Sequence, residues 1–510
     1  MNPFLATDGY KTGHHKMYPE NTALVYSNFT PRSNRYAPAS ISKVVSFGQQ
    51  FAIRYIVELF NNHFFNKPKE VVIREVQKEY SIYLGTEYNT SHIEALHDLG
   101  FLPIHVKALK EGTLVPMKVP VLTIYNTIPQ FYWITNFLET LISNLLWKPI
   151  TSATIAHKYK ETLLNWMLKT DEGNEGFVNF QGHDFSMRGL DSVEAAISSG
   201  LGHATSFTGS DSLPVIYGAR KYYNEEGFVV GSVNATEHSV MCAGEKDSEI
   251  ETFRYLMNQF PSGVLSIVSD TWDLWKVLTE YLPELKDEIL ARDGKIVIRP
   301  DSGDPVDIIC GHYLPNLEIR DSLIKRADEV EGLNSAPLKG VVELLWDVFG
   351  GTINGQGYRV LDPHIGAIYG DSITLDRAEE ICSRLESKGF ASTNIVLGIG
   401  SFTYQFNTRD TFGFAMKATY VVVGDEPRDI FKDPITDDGG KKSAKGLLSV
   451  RKNKESGEYE LFDQVSWAEE MEGELETIFC DNIFVNLRTL KEIRQELNNQ
   501  KNPALISDQN

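Results

Sequence analysis

Two kinds of hydrophobic pattern alternate along the chain. Between Phe131 and Trp147 the apolar residues Ile134, Phe137, Leu138, Leu141, Ile142 and Leu145 recur at helical spacing, with Thr135, Asn136, Glu139, Thr140, Ser143 and Asn144 on the opposite face. That polar face predicts an amphipathic core helix rather than a membrane span. A second helical pattern covers 49–60, whereas 23–29, 105–109 and 121–125 read as strands. The middle of the chain is more regular. Short apolar, β-branched runs at 228–233, 264–268, 296–298 and 394–397 read as buried strands, each running into a polar or glycine-rich turn and then a helical pattern. Asp191-Ser192-Val193-Glu194 has the form of a helix capping box, with Asp191 in the place of the usual Ser or Thr. Helices are expected over 272–282 and 338–349. Strand–helix units in series imply a parallel sheet, and many of them favour a barrel.

The polar residues just past these strands recur at a telling interval. Asp184, Asp211, His238, Asp270 and Asp301 follow one another after 27, 27, 32 and 31 residues. One strand–helix unit takes roughly 30 residues, so each step is about one unit, and strand ends of a parallel barrel converge on one face. Spacing therefore gathers Asp184, Asp211, His238, Asp270, Arg299 and Asp301 around one mouth. The step from Asp301 to Asp371 is 70 residues, which implies an enlarged or irregular unit. After about residue 400 the pattern changes to a strand at 412–423, a polar and basic loop at 432–445, and strands and hairpins over 446–485. The expected fold class is α/β: an irregular, TIM-like α/β barrel plus a second, mostly β (α+β) domain. The expected division is an N-terminal α+β part over 1–150, the barrel with the site over 151–400, and a β-rich part over 401–510 packing with the N-terminal part.

Composition narrows the partners. Of 510 residues, 69 are acidic and 49 are Lys or Arg, for a formal charge of −20, which argues against a general nucleic-acid binder but leaves room for a local basic pocket. The four cysteines, Cys242, Cys310, Cys382 and Cys480, form no CxxC pair, and the first residues carry no signal-peptide pattern. A soluble protein of a reducing, cytoplasmic compartment is the expectation.

The densest chemistry is Ile298-Arg299-Pro300-Asp301-Ser302-Gly303-Asp304-Pro305 at a strand end. A guanidinium and a carboxylate two residues apart can address the anionic and hydroxyl groups of one ligand, and they can equally close a loop as a structural pair. Asp270 reads as a site residue or as a helix N-cap. His238 by itself reads as a structural histidine, and its place in the series of strand ends raises its interest. Gly398-Ile399-Gly400 and Gly370-Asp371 can cradle a phosphate or simply make tight turns. The chain has no G-x-S-x-G elbow, no Walker sequence, and no zinc-ligand pattern around His183-Asp184.

Taken together the motifs are specific. Asp8-Gly9-Tyr10-Lys11 with His14 and Tyr18-Pro19, His183-Asp184-Phe185 with Arg188-Gly189, Gly209-Ser210-Asp211, Thr236-Glu237-His238-Ser239, Val268-Ser269-Asp270, 298–303 and Phe431-Lys432-Asp433-Pro434 resemble the nicotinamide phosphoribosyltransferase family, in order, from about residue 5 to about residue 485. The resemblance implies an irregular barrel joined to a mostly β domain, and homodimers whose active sites are completed across the interface. It implies a reaction of nicotinamide with phosphoribosyl pyrophosphate. Phe185 and Tyr10 of the partner subunit would sandwich the pyridine ring, Asp211 would accept the carboxamide N–H, and Arg299 would face the carboxamide oxygen. Asp301, Gly370 and Asp371 would meet the ribose hydroxyls, and Gly398 and Gly400 the 5′-phosphate. Arg188, with Arg32, Arg409 and Lys417 of the partner subunit, would neutralise the pyrophosphate. Asp270 and Asp301 would organise Mg²⁺, partly through water. His238 matches the histidine that ATP phosphorylates, with Lys432 and Lys441 at the ATP phosphates.

The chain departs from the family at Gly400-Ser401-Phe402-Thr403, which lacks a longer glycine run, and at Leu447, where an arginine often stands. The rival readings are a nicotinate phosphoribosyltransferase, against which Asp211 argues, a catalytically silent relative acting as a binding protein, and a barrel glycosidase. The filled charged positions at the strand ends weigh against silence. So many Arg, Lys and Gly positions suited to phosphate weigh against the glycosidase.

Overall fold

The fold is described from a computed structural model, which describes residues 1–38, 41–314, 316–330, 333–370, 372–434 and 443–500. Seven short parallel strands form one curled sheet, in the order Gly209–Ser210, Gly182–Asp184, Ile395–Ile399, Ile365–Tyr369, Asp293–Arg299, Ser262–Val268 and Asn234–Ala235. Its two edges meet at a single parallel bridge between Gly209 and Gly231, where Ser210 N–H donates to Gly231 O at 3.0 Å and Gly231 N–H to Thr208 O at 2.8 Å. The result is the irregular barrel that the spacing implied. The strand Asp293–Arg299 shows the two-residue alternation of a sheet covered by helices. Ile296 and Ile298 are fully buried in the core, while Val297 and Arg299 are only half-buried.

The second sheet has seven strands, in the order Glu426–Asp429, Ala415–Val423, Thr22–Thr30, Leu122–Asn126, Ile104–Leu109, Leu475–Cys480 and Ile483–Phe484. N-terminal and C-terminal strands interleave: Tyr26 lies opposite Tyr420, and Leu109 opposite Leu475, in antiparallel register. The N- and C-terminal parts of the chain therefore build one sheet together, as the expected second, mostly β domain requires. One long helix, Trp133–Thr170, runs from this sheet to the barrel. Its 38 residues span roughly 57 Å. Near its start Glu139 pairs with Lys11 at 2.9 Å, and further on Tyr159 Oη donates to Ile373 O at 2.7 Å beside the barrel. It runs across residue 150, so no linker separates the parts there. No helix among the described residues is long and apolar enough to cross a membrane.

Four local expectations need correction. The run 228–233 is not a strand; Val229 and Val230 are buried, but Phe228 and Val233 are exposed, and the strand begins only at Asn234. The helix expected over 272–282 starts at Leu274, with Asp273 as its cap, and passes through a π turn at Val277–Tyr281 before continuing over Leu282–Leu290. Pro283 has no N–H to give the preceding turn, and the helix widens just before it. The helix over 338–349 is broken at Gly340, whose φ of +77° lies in the left-handed region. At the fourth site Ser192, not Asp191, is the N-cap, accepting from Ala195 N–H; the Asp191 carboxylate instead takes the Gln405 amide.

Candidate active site

The barrel strand ends open into a cavity of about 480 Å³ whose walls include Phe185, Arg188, Asp211, Arg299 and Asp301, with Gly370, Gly400 and Ser401 at its rim. Strand ends place these side chains because each strand stops where its last inward residue reaches the mouth. Phe185 is fixed by its N–H, which donates to Ile399 O at 3.0 Å, and the Arg299 guanidinium lies 5.1 Å from its ring centroid. Arg299 Nε is buried with no hydrogen-bond partner. A flat aromatic face, a cation over it and an open cavity suit a planar ligand with an electron-rich substituent.

Across the same cavity stands Asp211. Its Oδ1 accepts from His183 Nε2 at 2.9 Å and from Ser232 Oγ. Burial pushes its carboxyl up, but the bonds from His183 and Ser232, with Arg299 nearby, hold it below its ordinary value. It stands ionised in the cavity, an acceptor without a proton to give.

Two glycines make the arrangement possible. A Cβ on Gly370 would lie 2.7 Å from Asp301 Oδ1 and 3.0 Å from Arg299 Nε. A Cβ on Gly398 would lie 2.6 Å from Tyr369 O and 2.7 Å from the Phe185 ring. Gly398 thus stands behind the aromatic ring, outside the cavity wall, and what it supplies there is room. Gly400 does reach the cavity, as the residue before the short helix Ser401–Gln405.

Asp270 and Asp301 are joined through the backbone. Asp270 Oδ2 accepts from Asp301 N–H at 2.8 Å and Ser302 N–H at 2.7 Å, so it holds the turn that carries Asp301. Its Oδ1 is buried and has no partner. Among the described residues no group of three or more His, Cys, Asp or Glu side chains is placed to hold a metal. One orphaned carboxylate oxygen beside a second carboxylate fits Mg²⁺, which usually takes one or two protein carboxylates and completes its shell with water and substrate phosphates. His238 lies at the same edge: its Nε2 is 3.9 Å from Asp301 Oδ2 and its Nδ1 is 3.1 Å from Thr271 Oγ1.

One residue of the spacing series does not join them. Asp184 is fully buried and turns its carboxylate to Ser186 N–H at 2.9 Å, because neighbours in a strand point to opposite sides. The side chain that faces Asp211 is His183.

Tyr10, Arg32, Arg409 and Lys417 lie outside the cavity wall, on the antiparallel-sheet side. Tyr10 is exposed, with its ring 5.2 Å from that of His14. Arg32 Nε donates to Gly413 O at 2.9 Å, and Arg409 pairs with Asp410 at 3.3 Å. Lys417 is held below its ordinary pKa, first by burial and then by the cations Arg32, Lys432 and Arg409, with Glu139 acting the other way. Four cations therefore share one neighbourhood. Lys432 N–H donates to Ser443 Oγ at 2.9 Å. Asp371 and Lys441 lie outside the described residues.

Reading the sequence missed Ser232 and passed over His183 as a ligand of Asp211. Ser232 follows the bridging Gly231, and its signal was a small polar residue two positions before the strand at Asn234; the misplaced strand at 228–233 hid it.

A nicotinate phosphoribosyltransferase family model matches residues 180–500, and a model of the nicotinamide phosphoribosyltransferase N-terminal domain matches residues 2–106. A nicotinamide phosphoribosyltransferase of Acinetobacter baylyi is 48% identical over 98% of both chains. One of Mycoplasma pneumoniae is 35% identical over 86% of this chain and 93% of its own. The crystal structure of human nicotinic acid phosphoribosyltransferase shares the fold, with a TM-score of 0.54 at 15% identity, covering 97% of this chain and 93% of that one.

Proposed function

The chain belongs to the nicotinate phosphoribosyltransferase family and, within it, to the nicotinamide phosphoribosyltransferases, and from that premise we propose that it joins nicotinamide to phosphoribosyl pyrophosphate, giving nicotinamide mononucleotide and pyrophosphate. The observation that carries the choice of base is the ionised Asp211 facing the Phe185–Arg299 pair in one cavity. A carboxylate accepts a hydrogen bond from an amide and repels a second carboxylate, so it favours nicotinamide over nicotinate.

The reaction breaks the bond between C1 of the ribose and the pyrophosphate oxygen and forms one from C1 to the pyridine nitrogen. Positive charge builds on C1, and negative charge on the departing diphosphate. Asp301 and Asp371 meet the sugar hydroxyls, Gly400 the 5′-phosphate, and Arg188 the diphosphate. Fixed charges that match those of the transition state account for the rate, and holding the weakly nucleophilic pyridine nitrogen in line supplies much of the rest. Asp270 Oδ1 and Asp301 would hold Mg²⁺, which when bound draws charge from the leaving diphosphate. No nucleophile of the protein is needed.

The remaining cations lie outside their own cavity, so in this reading a homodimer completes each site with Tyr10, Arg32, Arg409 and Lys417 of the partner subunit. His238 takes a phosphoryl group from ATP: a P–N bond forms at the imidazole, the β–γ P–O bond breaks, and ADP leaves. Nδ1 is turned to Thr271, which leaves Nε2 as the acceptor. Lys432 and Lys441 serve the ATP phosphates. Four free cysteines support a reducing, cytoplasmic setting.

Pyrophosphate release from phosphoribosyl pyrophosphate, measured with nicotinamide and then with nicotinate, tests the reading. Release with nicotinamide is expected. Release with nicotinate alone moves the assignment to the acid, and release with neither makes the chain a silent relative.

A further inference from the structure

Asp211 is tied by one oxygen only. Oδ1 takes both hydrogen bonds, from His183 Nε2 at 2.9 Å and from Ser232 Oγ, and among the described residues no hydrogen bond reaches Oδ2. Because an ionised carboxylate has no proton, His183 must present Nε2–H to it. Its Nδ1 packs over Gly209, where a Cβ would lie only 2.8 Å from it. The imidazole is therefore wedged between a glycine and a carboxylate, with its ring centroid 4.6 Å from that of Phe185. His183 and Ser232 reach Asp211 from two different barrel segments, so together they fix the plane of the carboxylate as well as its position.

We propose that His183 and Ser232 are positioning residues that set the preference for an amide over an acid in this site, by holding Asp211 Oδ1 so that Oδ2 faces the base. The proposal rests on the reading of the base given above. Its physical content is a competition. Arg299 stands close enough to act on the charge of Asp211, and an untied carboxylate would turn to the guanidinium and form an ion pair. That pairing would cancel the negative charge that rejects nicotinate and would draw Arg299 from its place over Phe185. Two donors on Oδ1 hold it away from the guanidinium and direct the free lone pairs of Oδ2 into the cavity.

The test is a set of coupled variants read by pyrophosphate release. Ser232→Ala, His183→Leu and His183→Gln are each made alone and on an Asp211→Asn background, and KM and kcat are measured with nicotinamide and with nicotinate. Ser232→Ala and His183→Leu are expected to lower the preference for nicotinamide about ten- to a hundredfold, the range for a hydrogen bond to a charged group. The change should fall on KM for the base. His183→Gln, whose amide N–H₂ reaches the place of Nε2, should restore most of it. With Asp211→Asn in place, the same changes should have no further effect on the preference. An unchanged preference, or an equal loss on both backgrounds, overturns the proposal, since mere structural support would act whether or not Asp211 is charged.

If a variant fails to fold, ¹⁵N NMR of the histidine-labelled native enzyme still decides. His183 is expected as the Nε2–H tautomer, with its ring nitrogens shifted in Asp211→Asn, and an Nδ1–H tautomer overturns the idea. A native enzyme that uses only nicotinate would sink the reading of the base, whereas the tautomer and the 183–211 coupling are readable with either base, so the two failures are distinguishable.

Discussion

In the barrel mouth, charges of opposite sign answer one another; at the edge of the antiparallel sheet, like charges gather. Asp211, Asp301 and Arg299 line one cavity, and each acid is anchored, Asp211 by His183 and Ser232 and the Asp301 turn by Asp270. Arg32, Arg409, Lys417 and Lys432 instead crowd one another, and Lys417 is half-buried among them. The first region is complete as an electrostatic unit. The second is a local excess of positive charge, answered in part by Glu139 at Lys417 and Asp410 at Arg409, and it suits an incoming anion. A site that must hold a diphosphate on one side and a neutral base on the other has use for both, provided that a second copy brings the two together.

Breaking that comparison starts with the largest effect. Arg299→Ala should lower kcat/KM about 10²–10³-fold, the range for removing one fixed transition-state donor, and the Arg32→Ala/Lys417→Ala pair should lose about 10²-fold by the same reasoning. Co-expressed, the two inactive chains should recover about a quarter of native activity, because half of the sites in each mixed dimer are then intact. Mixtures that give only the average of the two parents would put both regions in one protomer's site.

Lys417→Ala alone sharpens the same contrast. Its KM for phosphoribosyl pyrophosphate should rise about tenfold at low salt, and the rise should shrink as salt screens the cluster. A salt-independent change would mean that the cluster acts through packing rather than charge.

The smallest effect concerns the join between the regions. Glu111 is buried after the strand Ile104–Leu109, accepts Gln50 N–H at 2.8 Å, and is pushed by burial up to about 7. Its unfolded value is roughly 4.3, so between these values the folded chain binds the extra proton, and stability falls as pH rises through that window. Glu111→Gln should therefore raise the unfolding midpoint at pH 8, by about 1–3 kcal/mol of stability, with little effect at pH 4 or below. A lower midpoint at pH 8 would show that the charge is accommodated at the join.

How much of this was legible depends on range. The recurrence from Asp211 through His238, Asp270 and Asp301 was readable because one strand–helix unit has a nearly fixed length, and it brought the right segments to one mouth. It erred by one residue at Asp184, where strand alternation turned the acid outward and His183 inward. The barrel and the family motifs were determined by the sequence itself, since short-range backbone sterics and periodicity act within a few residues. Only the tertiary structure decided that Arg32 meets the 409–413 loop, through its N–H to Phe412 O at 3.0 Å, and that both donors fall on one oxygen of Asp211. Those contacts join residues that local patterning never compares, and they follow from the pairing of Thr22–Thr30 with Ala415–Val423 and from the closure of the barrel at Gly209 and Gly231. Such pairings are fixed by packing free energy summed over the whole core rather than by the preference of any one segment.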